Sequence, residues 1–447
     1  MQMELPLQTR SEAPSERRSG ETPTAAQGDE RSGTDHLMER VVEGSNARAA
    51  LKRVRKNKGS PGVDGMTVDE LVPHLIAHWK EVREQLLKGS YQPQPVRQHE
   101  IPKSDGGTRT LGIPCALDRM IQQAILQVLQ PIFDPTFSEH SHGFRPGRSA
   151  HDAVRSAQRY IGDGRRWVVD VDLEKFFDRV NHDVLMSKLG KRIEDKRMLG
   201  LIRRYLEAGI MAEGVVMERQ EGTPQGGPLS PLLANVLLDE VDKELEKRGH
   251  AFARYADDCN VYVRSKRAGE DVMQTLRRLY AKLRLRINEK KSAVAKPWYR
   301  KFLGYSFWTS RGKKTELRVA NQSLAKLKDR VRQITSRNRG RSMAQVVVEL
   351  RSYLAGWKQY FQLARTPAAL DLLDRWIRRR VRMVQLKQWK RGTTIFRELR
   401  RRGVPDRNAQ GTAAHAGSWW AISEFLGASL GLPNHALDRA GIPRLAS

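Results

Sequence analysis

Two adjacent aspartates, Asp257 and Asp258, interrupt an apolar stretch at 252–263. The stretch reads as two short strands joined by a tight turn, with both carboxylates at its tip. Neighbouring like charges repel, so a buried hairpin gains little from them unless a divalent cation removes the repulsion. A second apolar strand also carries acids: Trp167-Val168-Val169-Asp170-Val171-Asp172-Leu173. Alternation puts Asp170 and Asp172 on one side, and so apolar a strand rarely holds carboxylates without a use for them. A salt bridge at the strand end is the plainer reading of Asp172; the second acidic element downstream disfavours it. Paired in one antiparallel sheet, strand and hairpin bring Asp172, Asp257 and Asp258 to one end. Three carboxylates can hold two Mg2+ ions, one activating a hydroxyl nucleophile, the other stabilising a triphosphate and its leaving pyrophosphate.

The elements that must position these acids follow from pattern and turn chemistry. Residues 1–37 read as a disordered leader, rich in Ser, Thr, Gly, Glu and Arg. Helical periodicity begins near residue 37 and returns at 68–88 after a glycine-rich basic turn at 58–65. Residues 101–114 read as a hairpin around Asp105-Gly106-Gly107. Lys103 and Arg109 flank that turn and could converge on one anion such as a triphosphate; a solvated basic hairpin fits them equally well. A helix is expected over 118–129, then a basic loop, His142-Gly143-Phe144-Arg145-Pro146-Gly147-Arg148, with Ser149 capping the next helix. The Pro/Gly loop at 221–229 leaves backbone open to close approach. It leads into a helix over 232–247 with Ser230 as N-cap and Pro231 at the first turn, an arrangement that suits a phosphate or a base.

Charge points the same way. Lys and Arg number 80 against 51 Asp and Glu, a formal net charge of +29 over 447 residues. That excess implies a polyanionic partner, nucleic acid being the usual one. No apolar run approaches the about 18 residues of a spanning helix. Two cysteines, Cys115 and Cys259, exclude a disulfide framework and a cysteine-ligated zinc module, and a cytoplasmic, nucleoid-associated protein is expected. Past residue 321 the helices become apolar on one side and basic on the other. Between Arg375 and Arg402 there are twelve Lys and Arg and one acid, Glu398. Arg375, Arg378, Arg379, Arg380, Arg382, Lys387, Lys390 and Arg391 are read as a phosphate-binding surface, with Arg145 and Arg148 as further nucleic-acid contacts.

Tyr255-Ala256-Asp257-Asp258 resembles the signature of reverse transcriptases. The blocks at 101–114, 143–148, 170–178, 223–231, 288–292 and 302–305 resemble, in order, the motifs of group II intron reverse transcriptase/maturases over about residues 38–405. The resemblance implies an α+β right-hand polymerase: fingers at 38–160, a palm at 161–310, a helical thumb/maturase domain at 311–405 and a short tail at 406–447 with a DNA-binding role in view. It implies Asp172, Asp257 and Asp258 as catalytic and, with Leu173, metal-holding residues. Lys103 and Arg109 map to the triphosphate, Phe177 to a bulky residue against the incoming sugar, Gln225 to the nascent base pair, and Lys291 to the leaving group. Two Mg2+, dNTPs, intron RNA, a DNA primer or target and a second copy of the chain are the implied cofactors and partners. Many relatives carry a His/Cys nuclease module; this sequence lacks its cysteines and resembles the endonuclease-free members. Two other readings are an RNA-binding splicing cofactor with an idle polymerase and a domesticated reverse transcriptase in host or phage defence.

Overall fold

Four strands carry the acids and set the architecture around them. They are β3 (Trp167–Val171), β6 (Ala251–Tyr255), β7 (Asp258–Val263) and β8 (Ala293–Ala295), in the order β6-β7-β3-β8 with antiparallel pairing throughout. The structure, a computed structural model, describes residues 34–102, 107–212, 215–217, 221–223, 226–309 and 314–446. Register fixes which face each side chain takes. Val171 pairs with Cys259 and Val169 with Val261, and all four belong to the main core, packed with Leu276 and Tyr280 of the helix Lys266–Lys282 and Val241 and Leu245 of the helix Ser230–Lys247. The opposite face therefore receives Asp170, Asn260 and, at its end, Asp172 and Asp258.

The remaining strands of this unit form a second sheet, in the order β2-β1-β4-β5: β1 (Val96–Pro102), β2 (Thr108–Ile113), β4 (Ile210–Ala212) and β5 (Val215–Met217). β1 and β2 are the hairpin expected at 101–114, with Ile101 opposite Arg109. Because β1 also pairs with β4, expected fingers and palm share one sheet and one core. One compact unit accordingly comprises the described residues of 34–157 with 165–295, and a second those of 158–164 with 296–446. The leader expected over 1–37 lies outside the described residues up to 33, and Leu37 and Met38 are already fully buried. Ser149 does cap the helix Ala150–Gly162: its hydroxyl accepts from Asp152 N and donates to Asp152 Oδ2. Ser230 is the first helical residue rather than the cap, which is Leu229.

The second unit holds the sheet β11-β10-β9, made of β9 (Lys301–Phe302), β10 (Tyr305–Thr309) and β11 (Thr315–Val319), followed by helices to residue 439. The long helix Pro367–Trp389 buries Leu373, Ile377, Val381 and Val384 in a core that includes Leu437, Ile442 and Leu445. The expected tail is thus packed: Asp374 accepts from Leu445 N and Ala446 N at 3.0 and 3.1 Å.

Candidate active site

The hairpin β6–β7 is closed by two residues. Tyr255 pairs with Asp258, which leaves Ala256 and Asp257 as the loop. Ala256 has φ +58°, the left-handed region that costs an L-residue about 1–2 kcal/mol. Tight hairpins require positive φ at the first loop position to match strand twist. What holds alanine there is Arg254, whose side chain is fully buried. Its Nη1 donates to the Ala256 carbonyl and to Asn235 Oδ1, each at 2.9 Å. Nε donates to both Asp242 oxygens, and Nη2 to Asp242 Oδ2 and to Ser141 Oγ at 2.7 Å. Burial works against the charge on Arg254, and the Asp242 carboxylate outweighs it, holding the guanidinium above its ordinary value. The basic loop before Ser149 locks the same turn from outside. Asn235 Nδ2 donates to the Gly143 carbonyl at 2.9 Å, and a Cβ on Gly143 would stand 2.2 Å from Ala256 N. Glycine is needed there for close backbone approach.

Asp172 lies one residue beyond β3. Val171 is opposite Cys259, so the next step of the register sets Asp172 across from Asp258, about 5 Å away between Cα atoms. The segment after the helix Lys266–Lys282 pins its backbone. Asn288 N donates to the Asp172 carbonyl at 2.8 Å, Asp172 N donates to Ser292 Oγ at 3.0 Å, and Leu173 bridges to Ile287. This brings the exposed Lys291 into the loop that touches Asp172. On the same face the Asn260 amide, turned with its nitrogen inward, donates to Asp170 Oδ1 at 3.0 Å, which gives Asp170 a structural partner. Cys259, beside the acids in sequence, points into the core, where burial pushes its thiol well up. Burial likewise raises Cys115 to about 11. Neither is a thiolate at neutral pH.

Asp172, Asp257 and Asp258 offer oxygen donors only, which suits Mg2+ and not zinc. Among the described residues no three His, Cys, Asp or Glu side chains already surround a point as a metal cage would. An open set of carboxylates fits Mg2+, which keeps waters and substrate phosphates in its shell.

Known proteins bear on this geometry. Reverse transcriptase (RNA-dependent DNA polymerase) matches residues 101–307, and the group II intron maturase-specific domain matches residues 324–403. Protein YkfC of Escherichia coli (strain K12) is 34% identical over 308 residues, 60% of this chain and 80% of YkfC. The group II intron-encoded protein LtrA of Lactococcus lactis subsp. cremoris is 40% identical over 197 residues. The chain belongs to the group II intron reverse transcriptase/maturase family. This makes it, by class, an RNA-directed DNA polymerase of a divalent-metal-dependent kind. The match spans 43% of this chain but only 32% of LtrA, about a third of that protein's length. Among solved structures, a chain of the "Partial Cas6-RT-Cas1--Cas2 complex" aligns at 27% identity over 57% of this chain and 43% of that one. Its TM-score of 0.36 is too low to bear on partners.

In this reverse transcriptase the other expected residues divide three ways. Phe177 is half-buried in a short 3-10 turn (Phe176–Asp178), edge-on to Phe176 at 5.0 Å. Thr223 N donates to its carbonyl at 2.7 Å, and a Cβ on Gly226 would meet the Gly112 carbonyl at 2.7 Å. Thr223 therefore lies against Phe177, and Gly226 against β2. Gln225 and Lys103 are outside the described residues, as is the Arg109 side chain; the register puts Arg109 one pair from the turn end of β1–β2.

Several of the arginines expected to meet nucleic acid are engaged by partners within the protein. Arg145 is buried, its guanidinium spent on Asp134 and the Ser138 and Ser141 carbonyls. Arg148 is held by Glu139. Arg378 is buried between Asp374 at 3.3 Å and Asp438 at 2.5 Å. Arg379 pairs with Glu424 and lies 3.9 Å over Trp420; Arg382 donates to the Leu432 carbonyl and Asn434. Arg380 donates to Thr335 Oγ1 at 2.6 Å. The packed segment past residue 406 has taken Arg378, Arg379 and Arg382 as structural anchors, because inward donors find carboxylates and carbonyls there. Arg375, Lys390 and Arg391 remain exposed and Lys387 half-exposed. Sequence reading passed over Arg254 and Asp242, although an arginine inside an apolar strand was a visible signal.

Proposed function

We propose that this reverse transcriptase adds deoxynucleotides to a primer 3′-hydroxyl on an RNA template, and that it binds its group II intron RNA to assist splicing and mobility. What supports the reading is the strand register, which continues from Val171 opposite Cys259 to set Asp172 across from Asp258, next to Asp257 on a turn clamped by Arg254. Asp172, Asp257 and Asp258, with Leu173 alongside, would hold two Mg2+ ions, which when bound activate the hydroxyl and offset charge on the triphosphate. The chain's own residues do the positioning. Ser292 and Asn288 fix the Asp172 backbone, so the carboxylate needs little reorganisation on binding. Phe177 presents an aromatic edge where a 2′-hydroxyl would clash, selecting deoxynucleotides. By resemblance, Lys103 and Arg109 would neutralise the triphosphate, Gln225 would meet the nascent pair, and Lys291 would serve the leaving group. Arg375, Lys387, Lys390 and Arg391 hold intron RNA. Primer extension on an RNA template with dNTPs tests this directly. Asp257→Ala should abolish extension and leave RNA binding nearly intact; extension by that variant would refute the assignment. Wild-type protein that binds intron RNA yet never extends a primer would leave only a splicing cofactor.

A further inference from the structure

The helices that back the four-stranded sheet have an outer side, and its charge is lopsided. A groove of about 640 Å³ runs there, lined by the end of the helix Ala116–Phe133, the helices His182–Leu189, Ser230–Lys247 and Lys266–Lys282, and the residues that follow them. Its positions on Ser230–Lys247 (236, 239, 240, 243, 244 and 247) form one helical stripe, while Leu233, Leu237, Leu238, Val241 and Leu245 of that helix enter the core. Eight basic residues line the groove against three acids. Each acid is committed to one base: Glu240 to Lys188, Asp239 to Lys243 at 2.5 Å, and Glu244 to Arg248 at 2.6 Å. Lys191, Lys247, Arg278 and Lys282 are exposed and have no carboxylate partner among the described residues. The acids therefore hold part of the basic rim in place without neutralising it, and a surplus of five positive charges faces one cavity. A simply solvated helix face balances its signs or disperses them.

We propose that this groove is a second polyanion site, taking the phosphate backbone of double-helical RNA on the side of the helix layer opposite the catalytic carboxylates. Duplex RNA is read mainly through shape and phosphates, and cations on successive helical turns, about 6 Å apart, suit a row of phosphates better than one small anion. An acidic protein segment would need the apolar contacts that this groove offers sparingly. The inference rests on the RNA-binding half of the proposed function, and its test separates the two.

The probe is an RNA duplex, bound to the full chain while the polymerase site is occupied by a short primer–template. The quadruple variant Lys191→Gln, Lys247→Gln, Arg278→Gln, Lys282→Gln should lose at least about tenfold in affinity at low salt. Its plot of log K against log salt should be shallower by about 2–4 units, since each phosphate contact contributes about 0.7–0.9. Primer extension should stay at the wild-type rate, and a variant that swaps each lysine for arginine and Arg278 for lysine should bind like wild type. Unchanged affinity and slope in the glutamine variant would overturn the site, whether the groove then serves an acidic protein or only water. Parallel loss of extension would also overturn it, by placing these residues on the polymerase path. Wild-type protein that fails to bind duplex RNA at all would count against the maturase reading itself.

Discussion

Replacing Arg254 by lysine tests whether the catalytic turn is held from beneath. Lysine keeps a positive charge against Asp242, which avoids the about 3–5 kcal/mol of an orphaned buried carboxylate. One ammonium group cannot span Asp242, Asn235, Ser141 and Ala256 as the guanidinium does. The Ala256 carbonyl then loses its donor, at about 1–3 kcal/mol, while Ala256 still sits at φ +58° with its own cost of about 1–2 kcal/mol. The turn should relax, and Asp257 and Asp258 move with it. Each 1.36 kcal/mol is about tenfold in rate, so kcat for single-nucleotide extension should fall roughly tenfold to a hundredfold, with KM for the nucleotide little changed. Adding Ala256→Gly should restore part of the loss, because glycine adopts positive φ without strain. The assay is rapid-quench extension on an RNA template, with circular dichroism to confirm folding. A folded Arg254→Lys enzyme with wild-type kcat, or a double variant no faster than the single, would refute the clamp.

Four other outcomes are expected. Phe177→Ala should admit ribonucleotides more readily in primer extension, and unchanged sugar discrimination would remove the steric role. Arg378→Met should cost about 3–5 kcal/mol in chemical denaturation, since Asp374 and Asp438 are left without their shared partner. By contrast Arg375→Glu with Lys390→Glu and Arg391→Glu should weaken RNA binding and flatten its salt dependence at unchanged stability; the opposite pattern would reverse the two assignments. Asp118 supplies a pH test. Burial pushes its carboxyl up to about 6 despite hydrogen bonds from Tyr91, Gln94 and Tyr205. A raised folded-state value means stability fully present below about pH 4 and lost as pH rises through 6. Relative to Asp118→Asn, the wild type should therefore lose about 3 kcal/mol between pH 4 and pH 7, and parallel urea-denaturation profiles would contradict it.

Much of the site is local and so was readable in the chain. The Asp257–Asp258 tip follows from alternation around a two-residue loop, the β1–β2 hairpin from Asp-Gly-Gly between apolar strands, and the Ser149 cap from its own short-range hydrogen bonds. That the acidic strand and the hairpin share one antiparallel sheet was also legible, while the choice of β7 as the partner of β3 came only from the folded chain. Long-range partners were not legible. Arg254 and Asp242 find each other across a helix and a strand, and neither residue type announces its partner. The basic run showed the reverse failure: twelve like charges on helices look like one surface, yet the carboxylates and carbonyls that claim Arg378, Arg379 and Arg382 arrive from 40 to 60 residues further on. Periodicity and turn chemistry act over a few residues, so they determine strands, loops and caps. Burial is shared among distant segments, so only the folded chain decides which charges are anchors and which remain free to meet RNA.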